Sequence, residues 1–360
     1  MKTKICFLTL IFLAIVSTVQ AFDRETIAKL IDDANKKGEF SGVVLVAKGD
    51  KIIYKTAVGQ ANREWKIANS ANTKFRICSI TKQFTAMLVM QLVEAGKISL
   101  DKTVADYLRE FRRETASRIK IRDLLASASG LPSLPDEFYV SEDAKMADAD
   151  YVIKTYLQKD LEFAPGEKFN YNNADFIVLG KIVATVAGKD YETILREKIL
   201  QPLGMKNSGL LKNDAVIENL ASGYGFKDGK YSRESFVQIQ NFGAAGAMYS
   251  TAEDLFLWDR ALLANKILSK KYTDEMFAPL PKLGFVALGS WTYSTKFADG
   301  KTRKLTERQG YINGFCALNI IAPDDNISAI FLSNTETQTL FRTYAAQGLS
   351  YQVLNAIFEK

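Results

Sequence analysis

Phe75-Arg76-Ile77-Cys78-Ser79-Ile80-Thr81-Lys82-Gln83-Phe84-Thr85 is the stretch from which the rest of this chain can be read. From residue 84 to 93 the sequence is apolar nearly all round, which predicts a helix buried on every side rather than half exposed. Gly96 is a natural stop for it. Ser79 and Lys82 stand three apart at its start, and residues three apart share a helix face, so the amine can reach the hydroxyl. The first turn of a helix also offers unpaired N–H groups, which favour a developing negative charge. Apolar surroundings desolvate Lys82, lower its pKa and supply neutral amine as a base. The same spacing recurs in Ser117-Arg118-Ile119-Lys120, but inside a charged, exposed-looking run with none of that context. Ser79 is the candidate nucleophile.

The chain contains no histidine. That excludes Ser-His-Asp triads, Cys-His dyads and His-ligated zinc together, leaving Lys, Tyr, Asp and Glu as possible proton acceptors. No metal or organic cofactor is required. Basic and acidic residues alternate, with no Lys/Arg block to track a nucleic-acid backbone, so no nucleic-acid partner is expected. Lys2 and Lys4 precede an apolar run over residues 5–16, and Ser17-Thr18-Val19-Gln20-Ala21 follows. This is the pattern of a secretory signal peptide cleaved after Ala21. A membrane anchor is the alternative, but the run is short and charged Asp23-Arg24-Glu25 follows at once. Removing residues 1–21 leaves 339 of 360 residues and, with Lys2 and Lys4 gone, lowers the net charge from +6 to +4. A periplasmic or secreted protein is expected, with no membrane span in the mature chain. Cys78 and Cys316 remain, as one disulfide or as two small buried thiols.

Working outward, residues 23–37 read as an amphipathic helix, and 42–48 and 51–58 as strands. Strand composition returns at 285–297, 302–308, 314–321 and 327–333, before a closing helix over 339–358. Helical patterns at 121–126, 150–158, 175–186, 191–199 and 251–263 fill the middle. The order predicts an α+β fold: one antiparallel sheet formed by both chain ends and flanked by helices, with an inserted all-helical lobe. The α/β lobe is expected over residues 22–76 and 283–360 and the helical lobe over 77–282, with a pocket between them.

Tyr171-Asn172-Asn173 precedes the helical pattern at 175–186, and a phenol near a lysine can relay a proton. Tyr311-Ile312-Asn313 repeats the pattern, so spacing alone does not choose between them. Taken together the segments resemble the serine β-lactamase family, in the branch of class C enzymes, penicillin-binding D,D-peptidases and related esterases. The likeness extends over almost the whole chain beyond the leader. It is carried by the Ser79 segment, Phe40-Ser41-Gly42-Val43-Val44, Ser129-Gly130-Leu131-Pro132 and Pro165-Gly166-Glu167-Lys168-Phe169-Asn170-Tyr171-Asn172-Asn173. Pro202-Leu203-Gly204-Met205 and Ser250-Thr251-Ala252-Glu253-Asp254-Leu255 also fit.

The resemblance implies that Ser79 is acylated, that Lys82 and Tyr171 manage protons, and that Asn173 binds substrate. It implies an oxyanion hole from the N–H groups of Ser79 and Tyr311. Counting back from Gly314-Phe315 puts Arg308-Gln309-Gly310 where the family usually has Lys-Thr-Gly or His-x-Gly. Arg308 there would hold a substrate carboxylate, although a structural ion pair is the alternative. Ser127-Ala128 replaces a usual His-Thr, and Cys78 stands where a small residue is usual. The implied function is an exported serine hydrolase acting through an acyl-enzyme on amide or ester carbonyls of a small molecule or cell-wall peptide, D,D-peptidase or esterase-like. A β-lactamase and a catalytically silent cell-wall-binding or sensor module are the alternatives. Retention of Ser79, Lys82, Tyr171 and Asn173 argues against the silent module.

Overall fold

Three runs in this chain are apolar enough to be strands covered on both faces, and they form the middle of the main sheet. The computed structural model describes residues 23–336 and 339–359; the expected leader over residues 1–21 lies outside the described residues. An N-terminal helix α1 (Arg24–Lys36) leads into β1 (Gly42–Lys48) and β2 (Lys51–Val58). The chain then passes through helices α2 (Thr81–Glu94), α3 (Asn173–Ala187) and α4 (Ala252–Leu263). It returns as β3 (Trp291–Lys296), β4 (Thr302–Ile312), β5 (Phe315–Ala322) and β6 (Ile327–Ser333), and ends in α5 (Gly348–Phe358). The six strands form one antiparallel sheet in the order β3-β4-β5-β6-β1-β2, so the two ends of the chain meet at the β6–β1 pair.

Alternation sorts each central strand into two cores. Val44 and Val46 join Leu318, Ile320 and Phe331 under α1 and α5. Val43 and Leu45 face Ala317, Ile330 and Leu332 in the larger cluster with α2, α3 and α4. Both faces are covered, which is why β1, β5 and β6 read as continuous apolar runs. Gly42 is obligatory at the chain-end junction, since a Cβ there would lie 1.8 Å from the Leu332 carbonyl oxygen. Across the sheet, Phe84 of α2 stacks on Trp258 of α4 at 4.1 Å and anchors the helix that follows Ser79.

Several expected elements differ. The strand expected over 285–297 begins only at Trp291; residues 285–290 fold back on it through Gly289, whose φ of +79° is left-handed. The strand expected over 302–308 continues to Ile312, which places Arg308, Gly310 and Tyr311 on one strand. The closing helix expected from 339 starts at Gly348, because Ala346 and Gly348 both have positive φ and break the spiral. The inserted segment, expected to be all helical, also carries a hairpin (Tyr224–Lys227 with Lys230–Arg233) and the strands Met248–Ser250 and Gly209–Leu210, which form a small sheet with Phe75–Arg76 just before the segment. Among the described residues no helix is long and apolar enough to cross a membrane.

Candidate active site

Ser79 sits in a tight turn (Cys78–Ile80) that runs directly into α2. The turn is aimed by its neighbours: the Ile77 N–H donates to the Met248 carbonyl at 3.0 Å, and the Thr81 hydroxyl donates back to the Cys78 carbonyl at 2.7 Å. Cys78 adopts φ +51°, a left-handed conformation that a side chain tolerates poorly. The family-like preference for a small residue there therefore has a backbone cause. Cys78 and Cys316 are both buried and are not joined in a disulfide. Burial pushes the Cys78 thiol far up.

One helical turn on, Lys82 is completely buried. Its Nζ donates to the Ser79 Oγ at 3.2 Å, the Asn173 Oδ1 at 2.7 Å and the Ala245 carbonyl at 2.7 Å. Burial, opposed by Tyr171 and aided by Arg308, brings its pKa down to about 8. The Tyr171 hydroxyl lies 2.5 Å from the Ser79 Oγ, and the Lys82 Nζ is 4.9 Å from the Tyr171 ring centre. Burial raises the phenol, but the Lys82 and Arg308 cations outweigh it and bring it down to about 8. Two groups this close titrate as a pair, and one proton lost from the pair leaves a base against Ser79.

Tyr171 is presented by a loop with fixed ends. The N–H groups of Gly166 and Asn170 bond the carbonyls of Ala128 and Ser127, both at 2.8 Å. The Ser127-Ala128 replacement thus keeps its supporting role through the backbone. Asn172 caps α3 by accepting from the Ala174 N–H and ties the loop to the Leu131 carbonyl at 2.8 Å. Behind it, the Ser129 hydroxyl donates to the Asp175 carboxylate at 2.5 Å. Asp175 is fully buried and burial raises its pKa well above the usual range.

Strand β4 closes the other side. Gly310 lies against the nucleophile turn, where a Cβ would meet the Ile77 carbonyl at 2.3 Å and the Ser79 nitrogen at 3.1 Å. The Arg308 Nε donates to the Ser79 carbonyl at 3.1 Å. Arg308 is 3 % exposed, and its guanidinium carbon lies 5.2 Å from the Tyr171 ring centre and 5.1 Å from that of Trp291. Among the described residues no carboxylate is hydrogen-bonded to the guanidinium, while the buried Glu307 carboxyl next to it in the chain acts on it electrostatically. The Tyr311 hydroxyl turns outward to Glu336. Ser117 is exposed at the end of the short helix Arg113–Ala116, and Asn313 bonds Ser235, so neither second motif copy joins the cluster.

The structure therefore brings together Ser79, Lys82, Tyr171, Asn173, Arg308 and Gly310, with the backbone of Tyr311 next along the strand. Sequence reasoning missed the Ala245 carbonyl, which carries no side-chain signal. It also missed Trp291, visible only as one aromatic in an apolar run.

The likeness in sequence can now be set beside this geometry. The Beta-lactamase family model matches residues 27–351. The chain belongs to that family. It is a β-lactamase-fold hydrolase, similar to the candidate penicillin-binding protein PbpX of Bacillus subtilis (strain 168), with 26 % identity over 321 residues, 88 % of this chain and 75 % of that one. Among solved structures it resembles a penicillin-binding protein from Bacillus halodurans, with a TM-score of 0.75 and 28 % identity over 92 % of this chain and 98 % of that one. It also resembles the D-amino acid amidase from Ochrobactrum anthropi SV3 complexed with L-phenylalanine amide, with a TM-score of 0.77 and 25 % identity over 92 % and 97 % of the two chains.

Proposed function

We propose that this family member is an exported serine hydrolase that cleaves amide or ester carbonyls through an acyl-enzyme, in the manner of a D,D-peptidase or esterase. The observation that carries the reading is the Ser79 Oγ within hydrogen-bond reach of both the Tyr171 hydroxyl and the Lys82 amine. Ser79 Oγ attacks the carbonyl carbon while its proton passes to the Tyr171–Lys82 pair. The oxyanion forms against the N–H groups of Ser79 and Tyr311, where charge develops and stabilisation counts most. As the carbon–leaving-group bond breaks, the pair returns the proton to the departing amine or alcohol. Water then attacks the ester on Ser79 with the same pair as base, releasing the acid and restoring the hydroxyl. Asn173, with its Oδ1 engaged by Lys82, offers its amide N–H to the substrate. Arg308 acts through Tyr171 and the Ser79 carbonyl, favouring the deprotonated phenol. Similarity to a D-amino acid amidase and penicillin-binding proteins supports amide substrates, and the leader pattern supports export.

A fluorophosphonate should add one adduct per chain, mapped to Ser79 and lost in Ser79→Ala. Lys82→Ala, if folded, should lose at least about a hundredfold in turnover, the order general-base removal often costs. An adduct persisting in Ser79→Ala, or mapped to Ser117, would refute the assignment.

A further inference from the structure

Away from the candidate site, two short antiparallel hairpins stand together: Gln60–Asn62 with Ile67–Ala68, and Tyr224–Lys227 with Lys230–Arg233. They are bound to each other. The Arg63 guanidinium carbon lies 3.2 Å from the Tyr231 ring centre. The Arg63 N–H donates to the Tyr224 hydroxyl at 2.7 Å, and that hydroxyl donates to Glu64. The Phe226 ring leaves no room for a Cβ on Gly38, so the second hairpin is also seated just beyond the end of α1.

The turn of the first hairpin holds apolar side chains out into water. The Trp65 N–H donates to the Asn62 Oδ1 at 2.7 Å and Lys66 adopts φ +53°, which fixes a tight turn around Trp65. Trp65 is 80 % exposed and Ile67 55 %, whereas Trp258 is buried and Trp291 half-buried. A tryptophan held outward by a fixed turn loses little conformational freedom when it binds.

Charge adds a second feature. Residues 60–68 and 224–233 hold five basic residues and two acidic ones. Glu64 is engaged by the Tyr224 hydroxyl, and Asp228 is the other acid. Lys66, Lys227 and Lys230 are exposed and make no ion pair among the described residues. An exposed turn offers no concavity to enclose a small ligand. It suits an extended surface that accepts both groups: tryptophan settles at the boundary between lipid headgroups and acyl chains, and lysines are drawn to anionic headgroups.

We propose that these two hairpins dock the chain onto an anionic lipid bilayer, with Trp65 and Ile67 entering the interfacial layer and Lys66, Lys227 and Lys230 pairing with headgroup phosphates. The docking surface stands whether or not the hydrolase reading does. It is joined to the candidate site, because the Glu336 N–H donates to the Tyr224 carbonyl at 3.0 Å and Glu336 accepts from the Tyr311 hydroxyl.

Sedimentation with sucrose-loaded vesicles tests this on the leaderless chain, which holds every described element and lacks the apolar run over residues 5–16. Vesicles of equal parts phosphatidylglycerol and phosphatidylcholine should bind it at low salt and release it as salt screens the lysines. Pure phosphatidylcholine should bind it at least about tenfold more weakly. Lys66→Gln/Lys227→Gln/Lys230→Gln should lower the partition coefficient on the anionic vesicles by roughly tenfold or more. Trp65→Ala/Ile67→Ser should lower it by about tenfold. Both variants alter exposed turns, so their melting temperatures should match that of the unmodified chain. Brominated lipid should quench the tryptophan emission of the unmodified chain, and Trp65→Phe should still sediment but lose that quenching. Absent or equal binding to the two vesicle types overturns the proposal, as does binding that both multiple variants retain or quenching that persists in Trp65→Phe. Binding lost with the lysines but untouched in Trp65→Ala/Ile67→Ser, and fully competed by soluble polyphosphate, would mark a polyanion site and overturn the bilayer assignment.

Discussion

Replacing Arg308 by alanine removes a buried cation from beside the proton-accepting pair. The guanidinium carbon lies 5.2 Å from the Tyr171 ring. Unit charges that far apart in an effective dielectric of about 20 interact by roughly 3 kcal/mol, about two pH units. Tyr171 is 39 % exposed, and solvent screening reduces this to about one unit. Arg308 lowers both partners, so its loss raises both. The acid limb of the acylation rate, expected near pH 8 in the unmodified protein, should therefore move up to about 9. At pH 7 the variant should be about tenfold slower, with the gap closing towards pH 10. Arg308→Lys keeps the charge, so its limb should stay in place even if its plateau falls. The assay is single-turnover release of p-nitrophenol from a neutral ester between pH 6 and 10.5, corrected for spontaneous hydrolysis, on variants shown to be folded. A limb that stays within about 0.3 unit in Arg308→Ala, well below the expected shift, would refute the electrostatic role. A loss confined to carboxylate-bearing esters would instead place Arg308 against the substrate, as the family resemblance implied.

Gly310→Ala drives a methyl into the Ile77 carbonyl at 2.3 Å. Overpacking of this kind costs about 1–3 kcal/mol, so a lower melting temperature together with slower acylation is expected; an unchanged melt and rate would mean that β4 yields freely. Cys78 and Cys316 should resist a thiol reagent in the native protein and give two titratable thiols per leaderless chain on denaturation without reductant. Fewer than two would mean that they are bridged.

The nucleophile end of the site was legible because its geometry is local. Ser79 and Lys82 are three apart on one helix, and that spacing survives folding unchanged. The third motif was legible through register: counting from Gly314-Phe315 selects Arg308, and Arg308 bonds the Ser79 carbonyl. Its task was not legible, since burial beside Tyr171 and Trp291 depends on strands that pair only in the folded sheet. Bounds for β1, β2 and β6 matched expectation because turn residues delimit them. Residues 285–290 imitate a strand in composition, and only the left-handed Gly289 diverts them. The hairpin at 224–233 carries Asp228-Gly229 with both φ values positive, a strong turn signal, but its strands lack apolar alternation and periodicity does not find them. The Ala245 carbonyl on Lys82 has no residue type to betray it.

The meeting of the two chain ends at β1 and β6 has a consequence for how the molecule is made. Ser41 and Ser333, bonded to each other at this junction, are 292 residues apart in the chain. Contacts between distant segments are slow to form, because loop-closure entropy is spent before they return any stability. Until β6 has been synthesised, β1 has β2 on one edge and nothing on the other. Its Gly42-Val43-Val44-Leu45-Val46 core is apolar, uncharged and free of proline, the composition that invites pairing with another chain. During that interval the open edge of β1 favours pairing with another chain, and pairing with the last strand covers it.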